Sequence, residues 1–290
     1  MKRHQAGAAV VLSAVVSLTG CDGKSAVQPT SSAGPPLVGL FSLSGRVVDP
    51  TYRPVADSRV EVVDGPRAGT VEVTNEAGQF ILPGTFTSPI TVRASKDGYL
   101  SETRVYPPPG HPVERLVEGG KWEAQFYLSP AGPLPDLAGT YSMTITADNA
   151  CMDFPAEART RRYTATVIPL GRPGFFLGSL SDARFAPMTP CPPGPPGRSC
   201  LHNGVSIGTA GDYTNVGFSI IEQLSDHTYL VASGGAGGFF GPTGITAPLA
   251  GYLQYCQTEP TLIDQGTWTC PSDGYDPCES VDHRLTLVRR

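Results

Sequence analysis

The sequence has little of what a helical, membrane-spanning or nucleic-acid-binding protein requires. After residue 20, no apolar run approaches the ~20 residues that cross a bilayer as a helix. Stretches of Ala, Leu, Glu and Lys at helical spacing are absent, which argues against a helical bundle. The 21 Lys and Arg are scattered among 26 Asp and Glu. No basic stripe is available to follow phosphates, so we expect no nucleic-acid partner.

Metal-binding patterns are also missing, since no Cys-x-x-Cys or His-x-x-x-His pair occurs. The segment His111-Pro112-Val113-Glu114 has the spacing of two zinc ligands in metallocarboxypeptidases. It lies in a proline-rich stretch without the α/β pattern that such an enzyme requires. The acidic stretch from Asp273 to Asp282 departs from the EF-hand pattern and is interpreted as a solvated hairpin tip. We therefore predict no metal and no cofactor.

Glycine (34 residues) and proline (29 residues) are abundant instead, which favours many short strands joined by turns. The prediction is an all-β chain with two domains. Residues 39–130 contain seven alternating segments, typical of a β-sandwich: Leu43 to Val48, Val60 to Val63, Val71 to Thr74, Phe80 to Leu82, Ile90 to Ala94, Leu100 to Tyr106 and Phe126 to Leu128.

Residues 137–290 predict eight to ten further strands, which would suit an antiparallel β-barrel or a two-sheet sandwich. The opening segment, Leu137 to Ile145, alternates strictly and places Tyr141 on one face with Met143. The other segments are Arg162 to Val167, Phe175 to Leu180, Ala183 to Phe185, Val205 to Ile207, Val216 to Ile221, Thr228 to Ala232, Leu249 to Tyr255, Gly266 to Thr269 and Arg284 to Val288.

The N-terminus has the features of a targeting signal. Lys2 and Arg3 precede an uncharged apolar run that ends in Leu18-Thr19-Gly20-Cys21. This ending resembles the lipobox of bacterial lipoproteins, although an ordinary signal peptide with a chance cysteine is the alternative. The resemblance implies a signal peptide at 1–20, lipidation of Cys21, a flexible tether at 21–38, and a lipid-anchored position in the cell envelope facing the periplasm or exterior. Cleavage leaves 19 Lys and Arg against 26 Asp and Glu, a net charge of −7.

The other six cysteines all lie in the second half of the chain. Because an exported protein meets an oxidising compartment, three disulfides are the default expectation. Six cysteines allow 15 pairings. Two short loops suggest the local bridges Cys191–Cys200 and Cys270–Cys278. That choice pairs Cys151 with Cys256.

Five segments of the first domain carry a family resemblance: Gly45-Arg46-Val47-Val48-Asp49, Pro54-Val55-Ala56, Val60-Glu61-Val62, Thr74-Asn75-Glu76-Ala77-Gly78-Gln79-Phe80 and Ala94-Ser95-Lys96-Asp97-Gly98-Tyr99. In this order they resemble the carboxypeptidase regulatory-like family. The resemblance implies a transthyretin-like (prealbumin-type) sandwich. It implies no catalysis, because in that family the module is an accessory domain.

The second domain shows a shorter resemblance. Its opening Leu137-x-Gly139-x-Tyr141 is similar to the Gly-x-Trp start of lipocalin-like barrels, with Tyr in place of Trp. The chain ends in Arg289-Arg290, where those barrels place an arginine over the opening aromatic ring. The resemblance implies a cation–π contact that closes one barrel end.

Two glycine-rich segments suggest activity at first sight. Gly204-Val205-Ser206-Ile207-Gly208 fits the nucleophile elbow of hydrolases, but turn residues and another alternating strand follow it instead of a helix. His227 and His283 are interpreted as loop and barrel-rim residues. The run from Ser233 to Gly241 is predicted to be a mobile loop that displays Phe239 and Phe240 as candidate ligand contacts at the barrel mouth, or else folds both rings into the core.

We therefore expect a non-catalytic binding or accessory protein, held to a membrane by its N-terminal lipid. Its partner is a small or apolar ligand, a glycan or an envelope protein, with the ligand in the second domain. The alternative is a purely structural envelope protein whose barrel is filled by side chains. A hydrolase using Ser206 is the more distant alternative.

Overall fold

The structure is a computed structural model that describes residues 40–109, 120–152, 154–186, 203–241, 243–264, 267–271 and 276–290. Within these residues the chain forms seventeen β-strands and a single four-residue helix, α1 (Ala156–Arg159). The all-β class is therefore confirmed. No helix in these ranges is long and apolar enough to cross a membrane.

The first seven strands build two sheets that face each other. They are β1 (Phe41–Val48), β2 (Arg59–Asp64), β3 (Val71–Val73), β4 (Gln79–Ile81), β5 (Ile90–Ser95), β6 (Glu102–Tyr106) and β7 (Gly120–Tyr127). One sheet has the order β4-β1-β7 and the other the order β3-β2-β5-β6. Strands β1 and β7 are parallel, and the remaining pairs are antiparallel.

Alternation explains why these segments pair into a sandwich. In β1, Phe41 and Leu43 point inward and are fully buried, while Ser42 and Ser44 lie on the outer face. The inward side chains of both sheets form one apolar cluster, which includes Phe126 of β7. All seven strands predicted from alternation are present, which confirms the β-sandwich.

The remaining long strands close into an eight-stranded antiparallel barrel. They are β8 (Gly139–Thr146), β9 (Thr160–Pro169), β10 (Phe175–Ser181), β11 (Gly204–Ala210), β12 (Tyr213–Gln223), β13 (Tyr229–Phe239), β14 (Gly244–Cys256) and β17 (Cys278–Arg289). Each strand pairs with the next along the chain, and β17 closes the ring on β8 with Leu285 opposite Ile145. Two short strands, β15 (Thr261–Asp264) and β16 (Thr267–Thr269), pair outside the barrel.

Two sequence-based expectations about the barrel are wrong. Residues Ala183 to Phe185 form no strand, and Phe185 makes only an isolated bridge to Glu222. The glycine-rich run that begins at Ser233 is not a loop, because β13 continues through it to Phe239 and pairs with β12 along its full length. Glycines at these positions let neighbouring strands approach closely: a Cβ on Gly234 would lie 2.6 Å from the carbonyl oxygen of Ala250 in β14.

Candidate functional site

The barrel interior is packed with apolar side chains. Nine inward-facing residues from six strands are fully buried, with 0% exposure: Tyr141, Met143, Ala165, Val205, Val216, Ile220, Ala232, Leu285 and Leu287. They belong to one continuous cluster that includes residues of the other two barrel strands, such as Phe176 and Leu249. Side chains therefore fill the space that a ligand would need beside these residues.

A buried charged network closes one end of the barrel. Glu222 of β12 points inward and is 2% exposed. Its carboxylate accepts a hydrogen bond from Nε of Arg161 at 2.8 Å and from the phenol of Tyr163 at 2.8 Å. A second guanidinium nitrogen of Arg161 donates to the other carboxylate oxygen. Burial and the negative charge of Glu222 raise the pKa of the Tyr163 phenol, so the phenol stays protonated and donates.

The opposite end is closed by aromatic rings and an arginine. The guanidinium carbon of Arg289 lies 5.7 Å from the ring centroid of Tyr141, and the ring of Phe240 meets Tyr141 edge-on at 6.0 Å. The Tyr141 phenol donates to the carbonyl oxygen of Leu137 at 2.8 Å. This contact is the one that the lipocalin-like resemblance implies. The relationship to that family itself remains a hypothesis.

The two candidate ligand contacts differ in position. Phe239, at the end of β13, is 75% exposed and packs edge-on against Tyr213 with 5.9 Å between ring centroids. Phe240 is only partly exposed because its ring packs on Tyr141 at the closed end of the barrel. The segment from Ser233 to Phe239 is strand instead of loop, and β13 positions Phe239 on the outer wall.

The disulfides pair differently from the expectation. Cys151 bonds to Cys278 and Cys256 bonds to Cys270, so the predicted pairs Cys270–Cys278 and Cys151–Cys256 are wrong. The physical reason is the position of Cys278: it begins β17 and is held opposite Leu253 of β14, where the segment after β8 reaches it.

The position of Cys270 follows from a hydrogen bond. Its backbone amide donates to Oε1 of Gln254 at 3.2 Å, which places Cys270 beside Cys256 with 5.3 Å between the Cα atoms. The bridge therefore closes the β15–β16 segment on the end of β14. Cys191 and Cys200 lie outside the described residues, and their predicted bridge stays a prediction.

Ser206 does not stand on a nucleophile elbow. It lies within β11, between the inward-facing Val205 and Ile207, and its hydroxyl donates to the carbonyl oxygen of Gly217 at 3.4 Å. A nucleophile elbow needs a sharp turn into a helix, whereas β11 continues through a hairpin into β12. The geometry that motivates the hydrolase alternative is therefore missing at this residue.

The histidines have separate positions. His227 is exposed in the turn between β12 and β13. His283 is buried: its Nδ1 accepts a hydrogen bond from the amide of Asp148 at 2.9 Å, and its Nε2 lies 3.2 Å from the carbonyl oxygen of Cys278. His283 lies close to Cys151 and Cys278, but the two sulfurs form a disulfide and both ring nitrogens have partners. This group therefore does not offer a metal a free ligand set.

Three other candidates fall outside the described residues. They are the lipidation residue Cys21, the His111–Glu114 segment, and the part of the acidic stretch at 272–275. In the described part of that stretch, Asp276, Glu279 and Asp282 are exposed.

A contact between sandwich and barrel is the feature that sequence reasoning missed. We call it the joint: the turn Asp49–Arg53, which follows β1, packs against the β9–β10 and β11–β12 turns of the barrel. Residues Val38–Arg290 accordingly form one compact unit. No sequence signal marks the joint, because its partners are separated by more than a hundred residues.

Comparison with known proteins agrees with the fold of the first module. A two-module β protein with a sandwich and a filled barrel is the class that the geometry defines. Residues 42–117 match the family model of the carboxypeptidase regulatory-like domain, which confirms the resemblance for that segment. No curated protein gives a significant match to the chain.

Proposed function

We propose that this protein is a lipid-anchored, non-catalytic accessory protein of the cell envelope that contacts its partners through its outer surface. The observation that carries the proposal is the packed barrel interior, where nine side chains from six strands have no exposed surface. A carrier of an apolar ligand needs an internal cavity of ~300–1,000 Å³. The packed interior thus supports the purely structural or surface-binding alternative over an internal ligand.

The accessory role is supported by the first module. The regulatory-like domain at 42–117 and a β-barrel fit a non-catalytic accessory protein. Ser206 lies in a regular strand and bonds to a backbone carbonyl oxygen, which does not favour a nucleophile. A fluorophosphonate probe, which labels activated serines, should leave the protein unlabelled, and labelling that Ser206→Ala abolishes would contradict the proposal.

The proposed anchor is Cys21 at the end of Leu18-Thr19-Gly20-Cys21. Lipid on the Cys21 thiol would attach the chain to the bilayer, and two acyl chains bind a bilayer far more tightly than one. The residues between Cys21 and the sandwich then serve as the tether.

Membrane fractionation tests the anchor. The wild-type chain and the control Ser25→Ala should sediment with membranes, resist a high-salt wash and incorporate radiolabelled fatty acid. Cys21→Ser should appear in the soluble fraction without label. Membrane association of Cys21→Ser equal to that of the control would overturn the anchor.

A further inference from the structure

The turn of the joint is held in shape before it meets the barrel. Asp49 is buried, and its Oδ1 accepts hydrogen bonds from the amides of Thr51 at 2.8 Å and Arg53 at 3.1 Å. Its Oδ2 accepts from Nε of Arg53 at 2.9 Å. Local side-chain bonds of this kind replace the missing backbone ladder of a turn. The turn therefore presents Pro50 and Arg53 in one fixed arrangement.

The barrel has a matching seat for this turn. A Cβ on Gly208 of β11 would lie 1.8 Å from the carbonyl oxygen of Pro50, so only glycine permits the contact. Beside it, Arg53 donates to the carbonyl oxygen of Ala210 at 3.4 Å, and its guanidinium lies 5.0 Å from the ring centroid of Tyr213. The two modules thus meet with backbone against backbone.

A second group of contacts fixes rotation about that point. The rings of Tyr127 and Phe175 meet edge-on at 5.2 Å, and the guanidinium of Arg172 lies over both. Arg172 also forms an ion pair with Glu102 of β6. Two separate attachments, one at the turn and one at this cluster, prevent a hinge motion that a single contact would allow.

We infer that the joint and the Tyr127–Phe175–Arg172 cluster together couple the two modules rigidly into one body. This coupling holds the Glu222 end of the barrel at the end that lies farthest from the sandwich. Strand β1 carries the chain from Phe41 to the joint, a distance of about 23 Å at ~3.3 Å per residue. The joint lies at the barrel end that contains Arg289, and Glu222 lies at the other end with Cys151–Cys278. The barrel is thus presented end-on, away from the point where the chain enters the sandwich.

This coupling does not depend on lipid anchoring, so the two proposals fail independently.

Pulsed electron–electron double resonance, which measures the distance between two spin labels, tests the coupling on the full chain. Spin labels are attached through noncanonical amino acids at Lys121 of the sandwich and Thr246 of the barrel, both of which are exposed. The wild-type chain should give one narrow distance distribution. Gly208→Ala should broaden or shift it because the added Cβ collides with the backbone at Pro50.

Gly235→Ala is the matched control for that substitution. It also lies in a barrel strand, and its Cβ would meet its nearest neighbour at an ordinary 3.6 Å. The double variant Arg53→Ala/Arg172→Ala opens the joint without a steric wedge, which keeps the test valid if Gly208→Ala does not fold. A broad distribution in the wild-type chain, or a narrow unchanged one in the double variant, would overturn the coupling.

Discussion

Burial of Glu222 has a large electrostatic consequence. Its carboxylate is 2% exposed and is neutralised by Arg161, which itself remains 28% exposed. Desolvation of an ion pair offsets much of its attraction, so the pair adds little net stability. Breaking it, however, leaves a buried charge without a counter-ion.

Arg161→Ala should therefore lower the free energy of unfolding by about 3–5 kcal/mol. The control is Arg184→Ala, which removes an exposed ion pair with Asp226 and should cost at most about 1 kcal/mol. Urea denaturation monitored by circular dichroism measures both. Similar costs for the two variants would show that Glu222 is solvated in the folded protein.

Arg289 contributes at the residue scale to the opposite barrel end. Arg289→Ala removes the cation–π contact with Tyr141 and its hydrogen bonds to the carbonyl oxygens of Asp136 and Ala138. We expect a loss of about 1 kcal/mol in the free energy of unfolding. Arg290→Ala, which loses only an exposed ion pair at 3.8 Å with Asp182, should be near neutral in the same assay.

At the scale of elements, the two disulfides stabilise to different degrees. Cys151–Cys278 joins residues 127 apart, and Cys256–Cys270 joins residues 14 apart. In the chain-entropy model a bridge across ~15 residues contributes ~3 kcal/mol and one across ~100 residues contributes ~4.7 kcal/mol.

Replacing Cys151 and Cys278 together by serine should therefore cost about 2 kcal/mol more than replacing Cys256 and Cys270. Urea denaturation of both double variants measures the difference, and peptide mapping without reduction verifies the pairing. A larger cost for the Cys256–Cys270 replacement would contradict this ranking.

Alternation of apolar and polar residues predicted most strands, but it did not predict the glycine-rich part of a strand. The strands β1 and β8 were predictable because each places large apolar residues at every second position. The part of β13 from Ser233 to Gly238 was not, because glycines carry no hydrophobic periodicity and are typical of turns. Pairing with β12 and β14 determines its structure, and that information lies elsewhere in the chain.

The candidate sites were less predictable than the strands. The cysteine pairing depends on which strand ends lie together, and the short spacing from Cys270 to Cys278 favoured the wrong pair. The arginine over Tyr141 was predictable because the resemblance supplied both partners. The joint and the Glu222 network join residues that no local pattern relates.

At the scale of the whole molecule, closure of the joint affects the pKa of Tyr127, whose ring packs against Tyr52 of the joint. Burial, followed by the neighbouring Tyr52, raises the pKa of the Tyr127 phenol to about 12. The folded state therefore retains this proton where the unfolded state loses it, so the associated stability is present below about pH 10 and declines as the pH rises toward 12.

Opening the joint by Gly208→Ala should lower the pKa of Tyr127 toward 10, the ordinary value for tyrosine. Carbon NMR of labelled tyrosine rings follows this titration, with Tyr127→Phe as the assignment control. Gly235→Ala should leave the pKa unchanged. An unchanged value in Gly208→Ala would mean that the joint stays closed.

The filled barrel is the central claim, and calorimetric titration of the full chain with benzene and with the apolar dye Nile red tests it most directly. We expect no saturable binding to the wild-type chain. Leu285→Ala, which empties a fully buried interior position, should bind benzene because an apolar cavity of this kind stays dry and accepts small apolar ligands. Saturable one-to-one binding of either compound to the wild-type chain would contradict the claim and restore the internal-ligand alternative.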